Sequence, residues 1–243
     1  MNIYETERLL NEYLLFHYGA DDEVLPWDFG PKDGLNFAQR SVSELLDGTI
    51  ITGQARALDL GCAVGRSSFE LARECREVIG IDYSHRFVKA AETLRTDRSL
   101  KYLRHDEARA STPLVAQRPP DAEVKRIRFE QGDAEDLRKD LGAFDVVHAA
   151  NLLCRLSQPR KLLRRLPALV KPGGQLLLTT PCTWMEEFTP SAHWPKGSTF
   201  DWLQDKLGES FTLEHRVDLP FLIREHARKF QWSVALGTRW VRM

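Results

Sequence analysis

The most constraining stretch of the 243-residue chain is Ala57-Leu58-Asp59-Leu60-Gly61-Cys62-Ala63-Val64-Gly65-Arg66-Ser67. An apolar strand runs into an acid, then a loop with two glycines, then a helix. Such a strand–loop–helix unit belongs to open α/β sheets, which bind ligands outside the carboxyl ends of their strands near the topological switch point. Gly61 and Gly65 are expected to let the backbone approach a bulky ligand where a Cβ would clash.

The rest of the chain repeats this texture. β-rich runs at Ala57–Leu60, Val78–Asp82, Arg126–Glu130, Phe144–Ala149 and Gln175–Thr180 alternate with amphipathic stretches at Ser67–Cys75, Arg86–Leu94, Ala134–Leu141 and Pro159–Val170. Strand and helix in series predict parallel pairing through right-handed crossovers, with helices on both faces. Pro159 suits a first helical turn, and Lys171-Pro172-Gly173-Gly174 is expected to turn that helix into the next strand. Two further strands, Phe211–Leu219 and Phe230–Val241, predict a closing antiparallel hairpin joined by Pro220–Lys229. Ahead of the sheet, Leu9, Leu10, Tyr13, Leu14 and His17 recur at helical spacing until Gly19–Asp22. A loop with Pro26, Gly30, Pro31 and Gly34 follows, then a helix from about Asn36 to Asp47. The insertion at 99–125, with Pro113, Pro119 and Pro120, is too long for an ordinary connection and predicts a functional flap or a mobile loop.

The acids at the strand ends narrow the ligand. Asp82 closes the second strand, about 20 residues past the glycine loop, where a carboxylate accepts the ribose hydroxyls of an adenosine. A dinucleotide fold would show G-x-G-x-x-G cradling a pyrophosphate. Here the pattern is Asp59-x-Gly61-x-x-x-Gly65, and a carboxylate beside the loop repels pyrophosphate while suiting an ammonium and a sulfonium. Asp133, in Gln131-Gly132-Asp133-Ala134, is placed to read an adenine amino group, with the Ala134 backbone N–H beside it. Together the acids predict an S-adenosylmethionine pocket formed by Asp59, Gly61, Cys62, Gly65, Asp82, Tyr83, Asp133, Ala134 and Asn151.

Composition excludes several other classes. A net charge of −1 with 28% charged residues lacks the basic surplus of a nucleic-acid binder. No apolar run approaches the roughly 18–20 residues of a membrane span, and Met1–Arg8 has no signal-peptide core. Cys62, Cys75, Cys154 and Cys182 form no C-x-x-C pair and no zinc spacing, so they read as free thiols of a reducing cytoplasm, with no metal expected.

The glycine loop, Asp82, Asp133-Ala134, Phe144-Asp145-Val146-Val147 and Lys171-Pro172-Gly173-Gly174 resemble class I S-adenosylmethionine-dependent methyltransferases over Arg56 to Leu219. Other stretches are more particular: Glu12-Tyr13-Leu14-Leu15-Phe16-His17-Tyr18-Gly19, Leu25-Pro26-Trp27-Asp28-Phe29-Gly30-Pro31, Ala149-Ala150-Asn151-Leu152-Leu153-Cys154-Arg155-Leu156, Pro181 to Pro190, and Pro220 to Trp232. Together these resemble the 4-mercaptohistidine (5-thiohistidine) N-methyltransferases of ovothiol biosynthesis. The resemblance implies a single α/β domain over 1–243: a doubly wound, mostly parallel seven-stranded sheet at 51–243 with an N-terminal helical cap at 1–50. It implies 5-thiohistidine as acceptor, ovothiol A as product, and a functional link to an iron-dependent sulfoxide synthase.

For such an acceptor the substrate side would draw on Tyr13, His17, Arg155, Trp184, Glu186, Arg224, His226 and Arg228. A cation must hold the acceptor's carboxylate, ideally as a bidentate arginine. The last strand connection, returning at the carboxyl edge, makes Arg224 and Arg228 the first candidates, with Arg66 and Arg155 behind them. No catalytic base is named by the sequence. Another small amine or thiol acceptor, and a domain that binds S-adenosylmethionine without turnover, remain open alternatives.

Overall fold

The computed structural model of the chain describes residues 3–243. Met1 and Asn2, part of the polar opening read above, lie outside the described residues. In chain order the helices are α1 (Glu7–Tyr18), α2 (Asp21–Val24), α3 (Phe37–Ser43), α4 (Arg66–Glu74), α5 (His85–Asp97), α6 (Pro159–Leu169) and α7 (Thr199–Leu207). The strands are β1 (Arg56–Leu60), β2 (Glu77–Asp82), β3 (Ser99–Glu107), β4 (Ala110–Gln117), β5 (Ile127–Gln131), β6 (Phe144–Ala150), β7 (Val170–Thr180), β8 (Phe211–His226) and β9 (Lys229–Arg242).

Seven strands form one sheet in the order β5-β2-β1-β6-β7-β9-β8, all running the same way except β9, which is antiparallel to both of its neighbours. Strand alternation sends successive side chains to opposite faces. Ala57, Val78, Val146 and Leu177 join the core under α1, α3, α4 and α5. Leu58, Leu60, Ile79, Ile81, Val147 and Leu176 join the core under α6 and α7. Burial on both faces explains why these strands read as near-continuous apolar runs. The chain leaves β1 for β2 on one side and meets β6 on the other, so the switch point lies between the carboxyl ends of β1 and β6.

Four expectations need correction. Ala134–Leu141 is not a helix and holds only a 3-10 turn, Lys139–Leu141. Side-chain bonds pin this segment instead: Asp133 Oδ1 accepts from the Glu135 N–H at 2.8 Å, and Glu135 accepts from the Ser157 hydroxyl at 2.8 Å. Leu137 and Leu141 still supply its apolar contacts. The second cap helix is also shorter than read, ending at Ser43.

The insertion is neither flap nor loop. Residues 99–117 form an antiparallel ribbon, β3 on β4, with Tyr102 and Ala116 buried. The ribbon is fastened to the cap, since Asn11 Oδ1 accepts from the Leu103 N–H at 3.2 Å and Arg104 donates to the Glu23 carbonyl at 3.2 Å.

Finally, Pro220–His226 is strand, not connection. β8 and β9 pair as far as His226 and Lys229, leaving only Ala227 and Arg228 as the turn. The edge position of β8 tolerates Pro220, because the strand has a neighbour on one side only. The last β7 contact is Thr180 with Leu236, so Leu219–His226 overhangs the sheet's carboxyl edge by roughly 25 Å at 3.3 Å per residue. The cap grips this overhang. Arg40 donates to the Pro220 carbonyl at 3.0 Å, and Gly34 packs so closely that an added Cβ would meet Phe221 and Leu222 at 3.1–3.2 Å.

Candidate active site

β1 delivers the chain into the loop at Gly61, whose φ of +69° is a left-handed conformation that favours glycine. The N–H groups of Gly61 and Cys62 both bond the Ile81 carbonyl, at 2.8 and 3.1 Å. The Cys62 side chain turns inward and is buried, and desolvation pushes its thiol well above the usual range. Gly65 serves a purpose other than the one read from sequence. An added Cβ would meet Phe129 at 2.7 Å and Ala91 at 3.0 Å, so Gly65 lets α4 settle against its neighbours instead of opening space for a ligand.

Asp82, half-buried at the end of β2, accepts from the Ala63 N–H at 2.9 Å and the Ser84 N–H at 2.8 Å. These bonds fix both oxygens at the cleft while leaving lone pairs for further donors. Burial outweighs them and pushes the carboxyl up to about 6. Asp133 is half-buried one strand over, Ala134 lies beside it, and Tyr83 stands exposed next to Asp82. Asn151 ends β6 in the left-handed region at φ +53°. Its N–H and side chain are both bound to Thr179 of β7, which fixes the amide across the switch point.

Asp59 lies elsewhere than the sequence suggested. It is 1% exposed, accepts from Ser68 Oγ at 2.6 Å and pairs with His148 Nδ1 at 2.8 Å. His148 Nε2 in turn meets Ser41 Oγ of α3 at 3.1 Å. Its carboxylate is thus spent inside the core, tying β1, α4, β6 and the cap together, and it does not face a ligand's ammonium.

The N-terminal segment covers the cleft from above. The Ser84 hydroxyl donates to the Tyr4 carbonyl at 3.0 Å, Glu5 accepts from the His85 N–H at 2.8 Å, and the Tyr18 hydroxyl donates to the Val64 carbonyl at 2.8 Å. Tyr13 packs its ring on Phe87 at 4.8 Å and is hydrogen-bonded to Tyr4, which also bonds Arg155. Arg155 lies over the Phe188 ring at 4.7 Å and donates to the Thr183 carbonyl at 3.1 Å. Burial pushes the Tyr13 and Tyr18 hydroxyls up, so both stay neutral donors. His17, stacked on Tyr13 at 5.8 Å, is pushed down to about 3 by burial.

The structure therefore brings Tyr13, His17 and Arg155 to the cleft. It also adds Tyr4 and Phe188, for which the sequence held no signal: Tyr4 sits in a single 3-10 turn and Phe188 in an irregular segment. The other substrate candidates lie elsewhere. Trp184 turns toward α7, donating to Thr199 Oγ1 at 3.0 Å and meeting Trp202 edge-on. Glu186 is exposed. Arg224 is 5% exposed and committed to the Glu23 carbonyl at 2.8 Å, with Asp106 at 3.7 Å. His226 accepts from the Arg228 N–H within the terminal turn, and Arg228 itself is exposed. The overhang thus carries its arginines to the seam with the ribbon instead of over the strand ends.

The geometry fits an adenosine ligand with an amino-acid tail. A fixed carboxylate at Asp82 suits ribose hydroxyls, Asp133 with Ala134 suits the base, and the loop after Gly61 leads toward Asn151. Known proteins agree. A family model described as "Methyltransferase domain" matches residues 28–231. The chain is similar to ubiquinone biosynthesis O-methyltransferases, with 27% identity over 123 residues to that of Coxiella burnetii, covering 51% of this chain and 42% of that protein. For the one from Xanthomonas axonopodis pv. citri the identity is 26% over 156 residues, covering 63% and 55%. The chain therefore spans about half the length of these curated relatives. Among solved structures, the N-methyltransferase NodS from Bradyrhizobium japonicum, in complex with S-adenosyl-L-homocysteine, aligns over 96% of this chain and 98% of its own, with TM-score 0.56 and 19% identity. An S-adenosylmethionine-dependent methyltransferase structure from Listeria monocytogenes aligns over 85% and 98%, with TM-score 0.54 and 16% identity.

Proposed function

Because the chain belongs to the methyltransferase-domain family and is an S-adenosylmethionine-dependent methyltransferase, we propose that its acceptor is an imidazole ring nitrogen of 5-thiohistidine, the product being ovothiol A. The acceptor reading is supported by the sequence resemblance and by one structural observation. Arg155 stands half-buried between the ends of β6 and β7, hydrogen-bonded to Tyr4, where a cation can hold an amino-acid carboxylate.

S-adenosylmethionine, when bound, supplies a methyl group on a positively charged sulfur. The chain's own residues orient and dehydrate the acceptor. A neutral imidazole nitrogen already carries its lone pair, so alignment contributes more than a strong base. Asp82 holds the ribose end, Asn151 fixes the switch point, and Tyr4, Tyr13, His17 and Phe188 close the cleft against water. Arg155 anchors the acceptor so that a ring nitrogen, and not the softer sulfur, faces the methyl group. An iron-dependent sulfoxide synthase is the proposed functional partner, since C–S bond formation on histidine must precede this step.

A second reading, O-methylation, draws on the likeness to the ubiquinone O-methyltransferases. One experiment separates the two: the protein is incubated with S-adenosylmethionine and either 5-thiohistidine or a catechol, and products are identified by mass spectrometry. The expected product carries its methyl on a ring nitrogen of 5-thiohistidine. An S-methyl product overturns the regiochemistry, and turnover of the catechol alone overturns the acceptor. Arg155→Ala is then expected to raise KM for 5-thiohistidine about thirtyfold, as for a lost hydrogen bond to a charged group, while sparing donor affinity.

A further inference from the structure

His17 is a polar side chain set among rings, with no partner of its own. Tyr13 stacks on it at 5.8 Å and 29°, and Phe16 meets it edge-on at 5.3 Å. Among the described residues Nδ1 is buried with no hydrogen-bond partner, whereas Nε2, also unpartnered there, is not sealed off. A neutral imidazole carries one proton. A buried N–H without an acceptor is rarer than a buried acceptor without a donor, which places that proton on Nε2. The residue therefore presents an N–H, not a lone pair, to the cleft.

Its position identifies what that N–H meets. Asp82 and Asp133 end β2 and β5 and fix the adenosine end on that side of the sheet. The remaining end must run the other way, across β1 toward β6. His17 lies there: its neighbour Tyr18 is bonded to Val64 in the loop after β1, and the ring senses the charges of Asp59 and Arg66. Arg66 opens α4 and is held by Glu70 and by Gln39 at 3.2 Å, so it adds a fixed positive charge nearby. We propose that the Nε2–H of His17 is a hydrogen-bond donor to the α-carboxylate at the amino-acid end of the methyl donor. Because burial holds the ring's protonation at about 3, it remains a neutral donor throughout the physiological range and does not act as a proton acceptor for the reaction. This rests on S-adenosylmethionine as donor and is independent of the acceptor.

The test compares two ligands that differ at the amino-acid end. S-adenosylhomocysteine carries the carboxylate and 5′-methylthioadenosine lacks the whole amino-acid group. Calorimetric titration of the wild type, His17→Phe and His17→Gln is expected to show S-adenosylhomocysteine bound about ten- to a hundredfold more weakly by the Phe variant, the range for a lost hydrogen bond to a charged group. 5′-Methylthioadenosine should bind all three alike, and Gln, whose amide N–H reaches a similar distance, should recover most of the loss. Nitrogen-15 spectra of wild-type His17 supply a readout without mutation. Nε2 should be protonated and Nδ1 unprotonated from pH 5 to 8, and Nε2–H should move on adding S-adenosylhomocysteine but not 5′-methylthioadenosine. Equal losses for both ligands, no loss for either, or an Nδ1–H tautomer would overturn the assignment. A wild-type chain that binds neither ligand would overturn the donor itself.

Discussion

The donor half of the cleft and the seam where cap, ribbon and hairpin meet are built on different principles. The donor half, from β1 through α5 to β5, takes its shape from neighbours in sequence: Asp82 is fixed by the N–H of Ser84 two residues on and by Ala63. The seam is assembled from residues far apart in the chain. Arg224 reaches Glu23 across 201 positions, Arg40 reaches Pro220 across 180, and the Ala227 N–H bonds the Asp106 carbonyl at 2.8 Å. Local contacts shape the donor side, and distant contacts join the cap to the hairpin and the ribbon.

The comparison is most exposed at Asp59, which joins the donor half to the cap through His148 and Ser41. Asp59→Ala removes the buried acceptor that holds both Ser68 and His148 and should cost about 3–5 kcal/mol in urea unfolding, as for two buried hydrogen bonds whose partners are left unsatisfied. A loss under about 1 kcal/mol would mean the two are coupled elsewhere. Next in size is Arg224→Ala, which strips the Glu23 carbonyl and Asp106 of a buried cation and should cost about 2–3 kcal/mol. Hydrogen exchange should quicken in Leu219–Ala235 and the β3–β4 ribbon while β1 and β2 stay protected. Uniform exchange through both regions would mean that the seam and the donor half open as one unit.

A pH titration addresses the donor half alone. Burial raises the Asp82 carboxyl to about 6, whereas ribose hydroxyls favour its ionised form. Donor affinity should therefore fall as pH falls through 6, by about tenfold between pH 7 and pH 5, the factor one unit below a pKa sets. Without ligand the sign is opposite: the raised pKa contributes stability below the unfolded value that is lost as pH rises through 6. Asp82→Asn should bind S-adenosylhomocysteine with no step near pH 6. The smallest effect belongs to Arg228, exposed in the hairpin turn. Arg228→Ala should change stability by less than about 0.5 kcal/mol, as surface substitutions do, and leave KM for the acceptor unaltered. A raised KM would show that the hairpin tip reaches the acceptor after all.

This division also explains what the sequence disclosed. The strand–acid–loop–helix unit, the end of β2 at Asp82 and the place of Asn151 are written in contiguous residues, so spacing alone located them. Gly65 shows the limit even there. That a Cβ would clash there was legible, but what it would meet, the Phe129 ring, comes from a strand more than 60 residues away. Asp59 misled for a similar cause, because its partner His148 is 89 positions downstream. The insertion looked irregular because prolines and charges mask a ribbon whose two strands are held by each other and by α1. The missing helix after β5 was a matter of side chains: amphipathic spacing was present, but Asp133 bonds the Glu135 N–H in a turn that competes with helix, and Glu135 is drawn to Ser157 and Gln158 ahead of α6.

The seam also has a consequence for the order in which the protein is made. Domains fold as the chain is synthesised from its N-terminus, and contacts between remote residues form late because loop closure must come first. The cap is translated early, yet Glu23 and Arg40 wait for Pro220 and Arg224 at the far end. A nascent chain released through β7 would hold the strands and glycine loop for its cosubstrate while the cap still lacks its grip on the hairpin. The clasp between cap and hairpin is then the last part of the fold to close.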